Sequence, residues 1–131
     1  MITAVLLAAG ESRRMGDLKQ LLRLGEKTFV EHCVDQLLAS GIGELIVVTG
    51  HREGDVRQAL GDRPVRFAHN ADYRLGMASS IKCGIRAATE EARGFLIALV
   101  DQPQIQAETI RHVIQVFEKG NARIVIPRYN G

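Results

Sequence analysis

Three short runs of this chain carry no polar alternation: Ala4–Ala9, Glu44–Thr49 (apolar from 45 to 48) and Phe95–Val100. A strand with one wet face alternates apolar and polar residues, because successive side chains point to opposite sides. Runs without alternation need cover on both faces, which is the condition of a parallel sheet held between helix layers. Val65–Ala68 and Ile124–Ile126 supply two shorter candidate strands. Helical spacings separate them. Thr28 with Glu31 makes a T-x-x-E capping box, followed by Val30, Cys33, Val34, Leu37 and Leu38 at helical spacing and a stop at Gly41. Glu53–Leu60, closed by Gly61, is a second predicted helix. Met77–Ala92 is a third, with Ile81, Ile85, Ala88 and Ala92 on its apolar face. Glu108–Lys119 is a fourth, carrying Ile110, Val113, Ile114 and Phe117 and closed by Gly120. Strand–helix–strand repetition with right-handed crossovers predicts a three-layer α/β/α sandwich around a mostly parallel, doubly wound, Rossmann-like sheet.

At 131 residues the chain has room for one such domain, here spanning 1–131. Aromatics make up 5% and Trp is absent, so the core must come from Leu, Ile, Val and Ala. Seventeen Lys and Arg against fifteen Asp and Glu leave a net charge of +2, which argues against a nucleic-acid partner. The apolar runs are too short for a membrane span, so no membrane partner is expected. The first residues are apolar but lack a basic leader before Glu11, and a cytoplasmic location is the expectation. Cys33 and Cys83 sit in no metal-binding spacing and read as two reduced, buried thiols.

Sheets of this kind bind ligands at the carboxyl ends of their strands. Directly after the first strand comes Leu7-Ala8-Ala9-Gly10-Glu11-Ser12-Arg13-Arg14-Met15-Gly16-Asp17-Leu18-Lys19. Ala8, Ala9 and Gly10 let a ligand approach the backbone closely, and exposed N–H groups in such a turn can cradle an anion. Arg13, Arg14 and Lys19 bring cations suited to phosphate, with Ser12 among them. The spacing is neither a P-loop nor GxGxxG, since five residues lie between Gly10 and Gly16. A solvated loop would carry such charges too. After the fourth strand stands Asp101-Gln102-Pro103; its carboxylate can hold a divalent cation or merely open the turn. Ahead of the third helix, Asn70 to Ile81 contains Gly76, Ser79 and Ser80. Hydroxyls at a helix start serve either as caps or beside a bound anion. His51 lies after the second strand on the same edge and receives no catalytic role. His32, His69 and His112 read as surface or half-buried imidazoles.

LAAGESRRMGDLK resembles the N-terminal signature of the nucleotidyltransferases that activate sugar phosphates, isoprenoid precursors and molybdopterin. Asp101-Gln102-Pro103 and the Asn70–Ser80 segment are similar to the molybdenum cofactor cytidylyltransferase branch in particular. Ala8-Ala9-Gly10 stands where the guanylyltransferase branch has a double glycine. The resemblance implies the fold type of the nucleotide-diphosphosugar transferases. It also implies transfer of CMP from CTP to molybdenum-bound molybdopterin, with release of pyrophosphate. Leu7, Ala8, Ala9, Gly10, Ser12, Arg13, Asn70, Gly76, Ser79 and Ser80 would bind nucleotide. Arg14, Lys19 and Asp101 would be catalytic, Asp101 holding Mg²⁺ or alternatively Mn²⁺. CTP is the favoured nucleoside triphosphate, the molybdenum cofactor the acceptor, and a molybdoenzyme receiving that cofactor a further partner. Two other functions fit the same residues: a related nucleotidyltransferase with another base or acceptor, and a protein that binds and delivers nucleotide or cofactor without chemistry. Relatives continue past the last strand with a Gly-His-Pro segment and a second acidic metal ligand. The resemblance therefore implies that the C-terminal part of the family's domain is missing here.

Overall fold

The computed structural model describes residues 2–9, 13–14, 17–18, 21, 23–100, 106–119 and 124–125. Its frame is a five-stranded parallel sheet. In chain order the elements are β1 (Ile2–Ala8), β2 (Arg13–Arg14), β3 (Asp17–Leu18), β4 (Arg23–Leu24), β5 (Lys27–Thr28), α1 (Phe29–Leu38), β6 (Glu44–Thr49) and α2 (Glu53–Leu60). There follow β7 (Arg66–His69), α3 (Met77–Ala87), β8 (Gly94–Leu99), α4 (Ala107–Lys119) and β9 (Ile124–Val125). The sheet runs in the order β7-β6-β1-β8-β9. β1 is central and pairs in parallel with β6 (Thr3↔Glu44 to Ala8↔Thr49) and with β8 (Ile2↔Gly94 to Leu7↔Leu99).

The three unalternating runs are the three inner strands, and both their faces are covered. Ala4, Leu6, Leu45, Val47, Leu96 and Ala98 face a cluster with Val30, Val34 and Leu37 of α1, Val56 and Leu60 of α2, and Ile110 and Ile114 of α4. Val5, Ile46, Val48 and Ile97 face the other way, against Ile81, Cys83 and Ala87 of α3. The three layers are thus α1, α2 and α4 on one side, the sheet, and α3 on the other.

α1 starts as its capping box requires: the Thr28 hydroxyl accepts from the Glu31 amide at 3.2 Å, and the Glu31 carboxylate accepts from the Thr28 amide at 3.1 Å. α3 departs from the expected Met77–Ala92. It stops at Ala87 because Ala88 turns extended (φ −68°, ψ 153°) and the next amide, Thr89, donates to the Glu44 carboxylate at 3.2 Å. Ala92 therefore lies off the helix. Ile81 and Ala88 do pack on the core, but the α3 residues that bury fully are Ser80 and Gly84. A Cβ on Gly84 would collide with the Val5 side chain, so the glycine brings α3 close against β1. Gly94 similarly gives way to the Phe117 ring of α4. Cys33 is buried as expected and Cys83 only half-buried; among the described residues neither is in a disulfide. Among the described residues no helix is long and apolar enough to cross a membrane.

Candidate functional site

The strand order contains one reversal. From β1 the chain steps through β6 to β7 on one side, then returns to β8 on the other. The crevice in such a sheet opens where neighbouring strands send their connections in opposite directions, between β1 and β8. Register places the ends of those strands side by side, Leu7 against Leu99. The last residues of the strands that precede Gly10 and Asp101 in sequence are thus neighbours. Asp101 itself lies outside the described residues, as do Gly10, Ser12 and Lys19. Arg13 and Arg14 are described as backbone, paired antiparallel with Leu18 and Asp17. The first loop therefore carries a short two-stranded ribbon that periodicity did not reveal.

Ala8 and Ala9 are buried and Leu7 is half-buried. The Ala9 carbonyl accepts the His51 amide at 3.1 Å, tying the exit of β1 to the exit of β6. Gly50 sits in the angle. A Cβ there would lie 2.8 Å from Tyr73 Cβ and 2.9 Å from the Ala9 carbonyl oxygen. Only a residue without a side chain lets these strand-end loops close to this distance. Tyr73 also brings its hydroxyl to 3.5 Å from His51 Nδ1, and the Arg74 guanidinium lies 5.7 Å from its ring centre. Gly50 and Tyr73 were not among the residues singled out from sequence. Their signal was there: a glycine directly after a buried strand, and an aromatic in an otherwise polar turn.

Asn70 organises the next loop. Its amide donates to the Thr49 carbonyl at 2.7 Å. Its side-chain Nδ2 donates to the Ser79 and Ser80 hydroxyls, both at 3.0 Å, and its Oδ1 accepts from the Asp72 amide at 3.0 Å. The Ser79 hydroxyl lies 2.7 Å from the Gly76 carbonyl and 3.1 Å from that of Asp72. Neither serine caps α3; Gly76 occupies that position in a left-handed conformation, φ +104°. Asn70, Ser79 and Ser80 therefore act together as a brace that presents Gly76 and the first amides of α3 at the strand-end edge. The Ser79 amide already donates to the Gly76 carbonyl at 3.2 Å; the Met77 and Ala78 amides ahead of it head the helix, where the N–H groups favour an anion.

Thr49, the last residue of β6, is fully buried, and its hydroxyl finds no hydrogen-bond partner among the described residues. Cys33 of α1 lies with Sγ 3.7 Å from the Val100 carbonyl and 3.9 Å from that of Leu99, backing the end of β8. Of the remaining histidines, His32 is half-buried, and His69 and His112 are exposed. Among the described residues no group of three or more His, Cys, Asp or Glu could hold a metal ion.

Residues 4–131 match the family described as the MobA-like NTP transferase domain. A nicotine blue oxidoreductase from Paenarthrobacter nicotinovorans is 35% identical over 114 residues, 86% of this chain and 55% of that protein. A nucleotidyl transferase from Methanothermobacter thermautotroptrophicus superposes with a TM-score of 0.82 at 36% identity, over 88% of this chain and 57% of its own. Rv0371c from Mycobacterium tuberculosis, in complex with manganese, gives 0.77 at 29%, over 90% and 60%. The chain spans little more than half the length of these relatives.

Proposed function

The chain belongs to the MobA-like NTP transferase family, and on that premise we propose that it takes part in nucleotidyl transfer at the β1–β8 crevice. The observation that supports this reading is the reversal of strand order, which sets the end of β1, the strand before the cation-rich segment, beside the end of β8, the strand before Asp101.

In the proposed step an oxygen of the acceptor's terminal phosphate attacks the α-phosphorus of a nucleoside triphosphate. The new P–O bond forms as the bond to the bridging oxygen breaks, and pyrophosphate leaves with its electron pair. The backbone from Leu7 to Gly10, Ser12, and the segment Gly76 to Ser80 braced by Asn70 would hold base and ribose. Arg14 and Lys19, with Arg13 beside them, would neutralise charge on the triphosphate. Catalysis would rest on positioning and charge stabilisation rather than on a protein nucleophile. Asp101 is the residue a Mg²⁺ or Mn²⁺ ion would use here. The described residues assemble no set of ligands to join it, so the step is derived from binding and positioning alone. CTP as donor and molybdenum-bound molybdopterin as acceptor are the finer reading, supported by the Ala8-Ala9-Gly10 and Asp101-Gln102-Pro103 sequences.

The test is pyrophosphate release on mixing the protein with molybdenum cofactor and, in turn, CTP, GTP, UTP and ATP. Preference for CTP is expected. Lys19→Ala and Asp101→Asn should each slow release about a hundredfold or more, with melting temperature unchanged. Binding of nucleotide without pyrophosphate release would instead favour a delivery protein. Wild-type turnover in either variant would remove the site assignment. A redox reading is favoured by one observation, the name of the 35% identical relative. Consumption of a reduced nicotinamide nucleotide in place of pyrophosphate release would establish it.

A further inference from the structure

An open groove of about 700 Å³ runs along the outer flank of α3 beside β7, the strand two places from β1 in the sheet order. β7 pairs with β6 and with no other strand among the described residues, so one of its edges has no ladder partner. Four features give the groove a direction. Leu75 lines its upper end with 77% of its surface exposed, and Met77, 55% exposed, follows nearby. Asp72 lies at that same end. Small residues such as Ala78 line the middle. At the lower end Lys82 and Arg86, one helical turn apart, both line the groove, and neither forms an ion pair among the described residues. His69, which also lines the groove, contacts the Glu53 carboxylate at 2.5 Å.

An exposed apolar residue next to a carboxylate, followed by two unneutralised cations, is the complement of an extended acidic segment. We propose that this groove is a docking surface for such a segment of a partner protein, laid along the free edge of β7. An apolar side chain would sit on Leu75 and carboxylates would face Lys82 and Arg86. Edge strands accept added strands through main-chain hydrogen bonds, with side-chain pockets supplying specificity. From Ala78 to Arg86 the helix rises about 12 Å, a span of about four extended residues. The partner motif is therefore one apolar residue with acidic residues starting about three or four positions away. Asp72 disfavours the reversed orientation. The groove borders the proposed nucleotide-binding segment at Asn70, Ala78 and Ser79, whereas Leu75, Lys82 and Arg86, which carry the docking, have no part in the proposed transfer.

Fluorescence anisotropy with labelled peptides tests the idea on the 131-residue protein. The probe is about eight residues long, a leucine followed by threonine and valine, with the first glutamate about four positions after the leucine and a second about two further on. Controls carry lysine for glutamate, or methylated amides on one edge. The acidic probe should bind with Kd of about 100 μM or tighter, more weakly as salt rises. Lys82→Glu with Arg86→Glu should weaken it about tenfold or more, and Leu75→Ser about fivefold. Melting temperatures of the variants provide the folding control, and Lys119→Glu, remote from the groove, should leave binding unchanged. No binding at about 1 mM, equal binding of the lysine probe, or indifference to amide methylation would overturn the proposal. Displacement of the probe by inorganic phosphate at similar concentration would assign the cations to a small anion instead. Self-association abolished by the charge reversal would assign the groove to a second copy of the chain.

Discussion

At the scale of single residues, the candidate site is shaped as much by what side chains leave out as by what they offer. Gly50 leaves room for the Ala9 carbonyl and for Tyr73 at once. Gly50→Ala must push one of them away, and neither contact is with the free end of a flexible side chain. A loss of about 1–3 kcal/mol is expected, read by thermal unfolding, together with a smaller thermal shift on adding CTP. Thr49 presents the opposite case. Its hydroxyl is buried without a partner among the described residues, and a lost hydration bond is not recovered there. Thr49→Val keeps the shape and removes that debt. It should raise stability by about 1 kcal/mol in denaturant unfolding, and a fall instead would mean that the hydroxyl is bonded. Sequence reading passed over both positions. A glycine's necessity is visible only when the neighbours that crowd it are known, and a threonine at a strand end looks the same with or without a partner.

At the scale of elements, most boundaries were legible because they are local. The capping box at Thr28 and Glu31, the strand Glu44–Thr49 and the helix Glu53–Leu60 each depend on residues within a turn or two. The end of α3 does not. Nothing in the residues after Ala87 forbids another turn; a hydrogen bond from Thr89 to Glu44, far away in sequence, stops it. The β4–β5 hairpin was missed for a different reason, since its strands are two residues each and show no periodicity. A second long-range device joins α1 to the end of α2. Arg63 reaches Asp35 at 2.8 Å and Glu31 at 3.1 Å, and Lys27 also meets Asp35 at 2.7 Å. The hydrogen bond from Arg63 holds the Asp35 carboxyl below its usual pKa, against burial and helped by Lys27. Burial works to raise the Glu31 pKa, but bonds from the Thr28 amide and hydroxyl, and then Arg63, outweigh it. Carboxylates with depressed pKa values stabilise the fold above the ordinary range near 4, and that contribution is lost as pH falls through the lowered values. Arg63→Ala should therefore cost about 1–3 kcal/mol near neutral pH, and the gap from wild type should shrink in acid unfolding measured below about pH 4.

At the scale of the whole molecule, the covered inner strands and the single-neighbour edge strands differ in kind. β1 has a strand on each side and apolar layers on both faces, whereas β7 has one neighbour and no fully buried side chain in its span. Native-state hydrogen exchange should find β1 and β6 opening only with global unfolding and β7 exchanging well before them; equal protection would show that the sheet opens as one unit. The central place of β1 also bears on how the chain is made. Thr3 finds its two partners in Glu44 and Phe95. Of the five strands of this sheet, β1 is made before the others and must wait longest for its second neighbour. Until β8 emerges, its apolar surface has one side open, and a nascent chain of this design is exposed to wrong pairings. Synthesis from the amino end therefore works against this topology, and the demand it places on chaperones is set by the distance along the chain between β1 and β8.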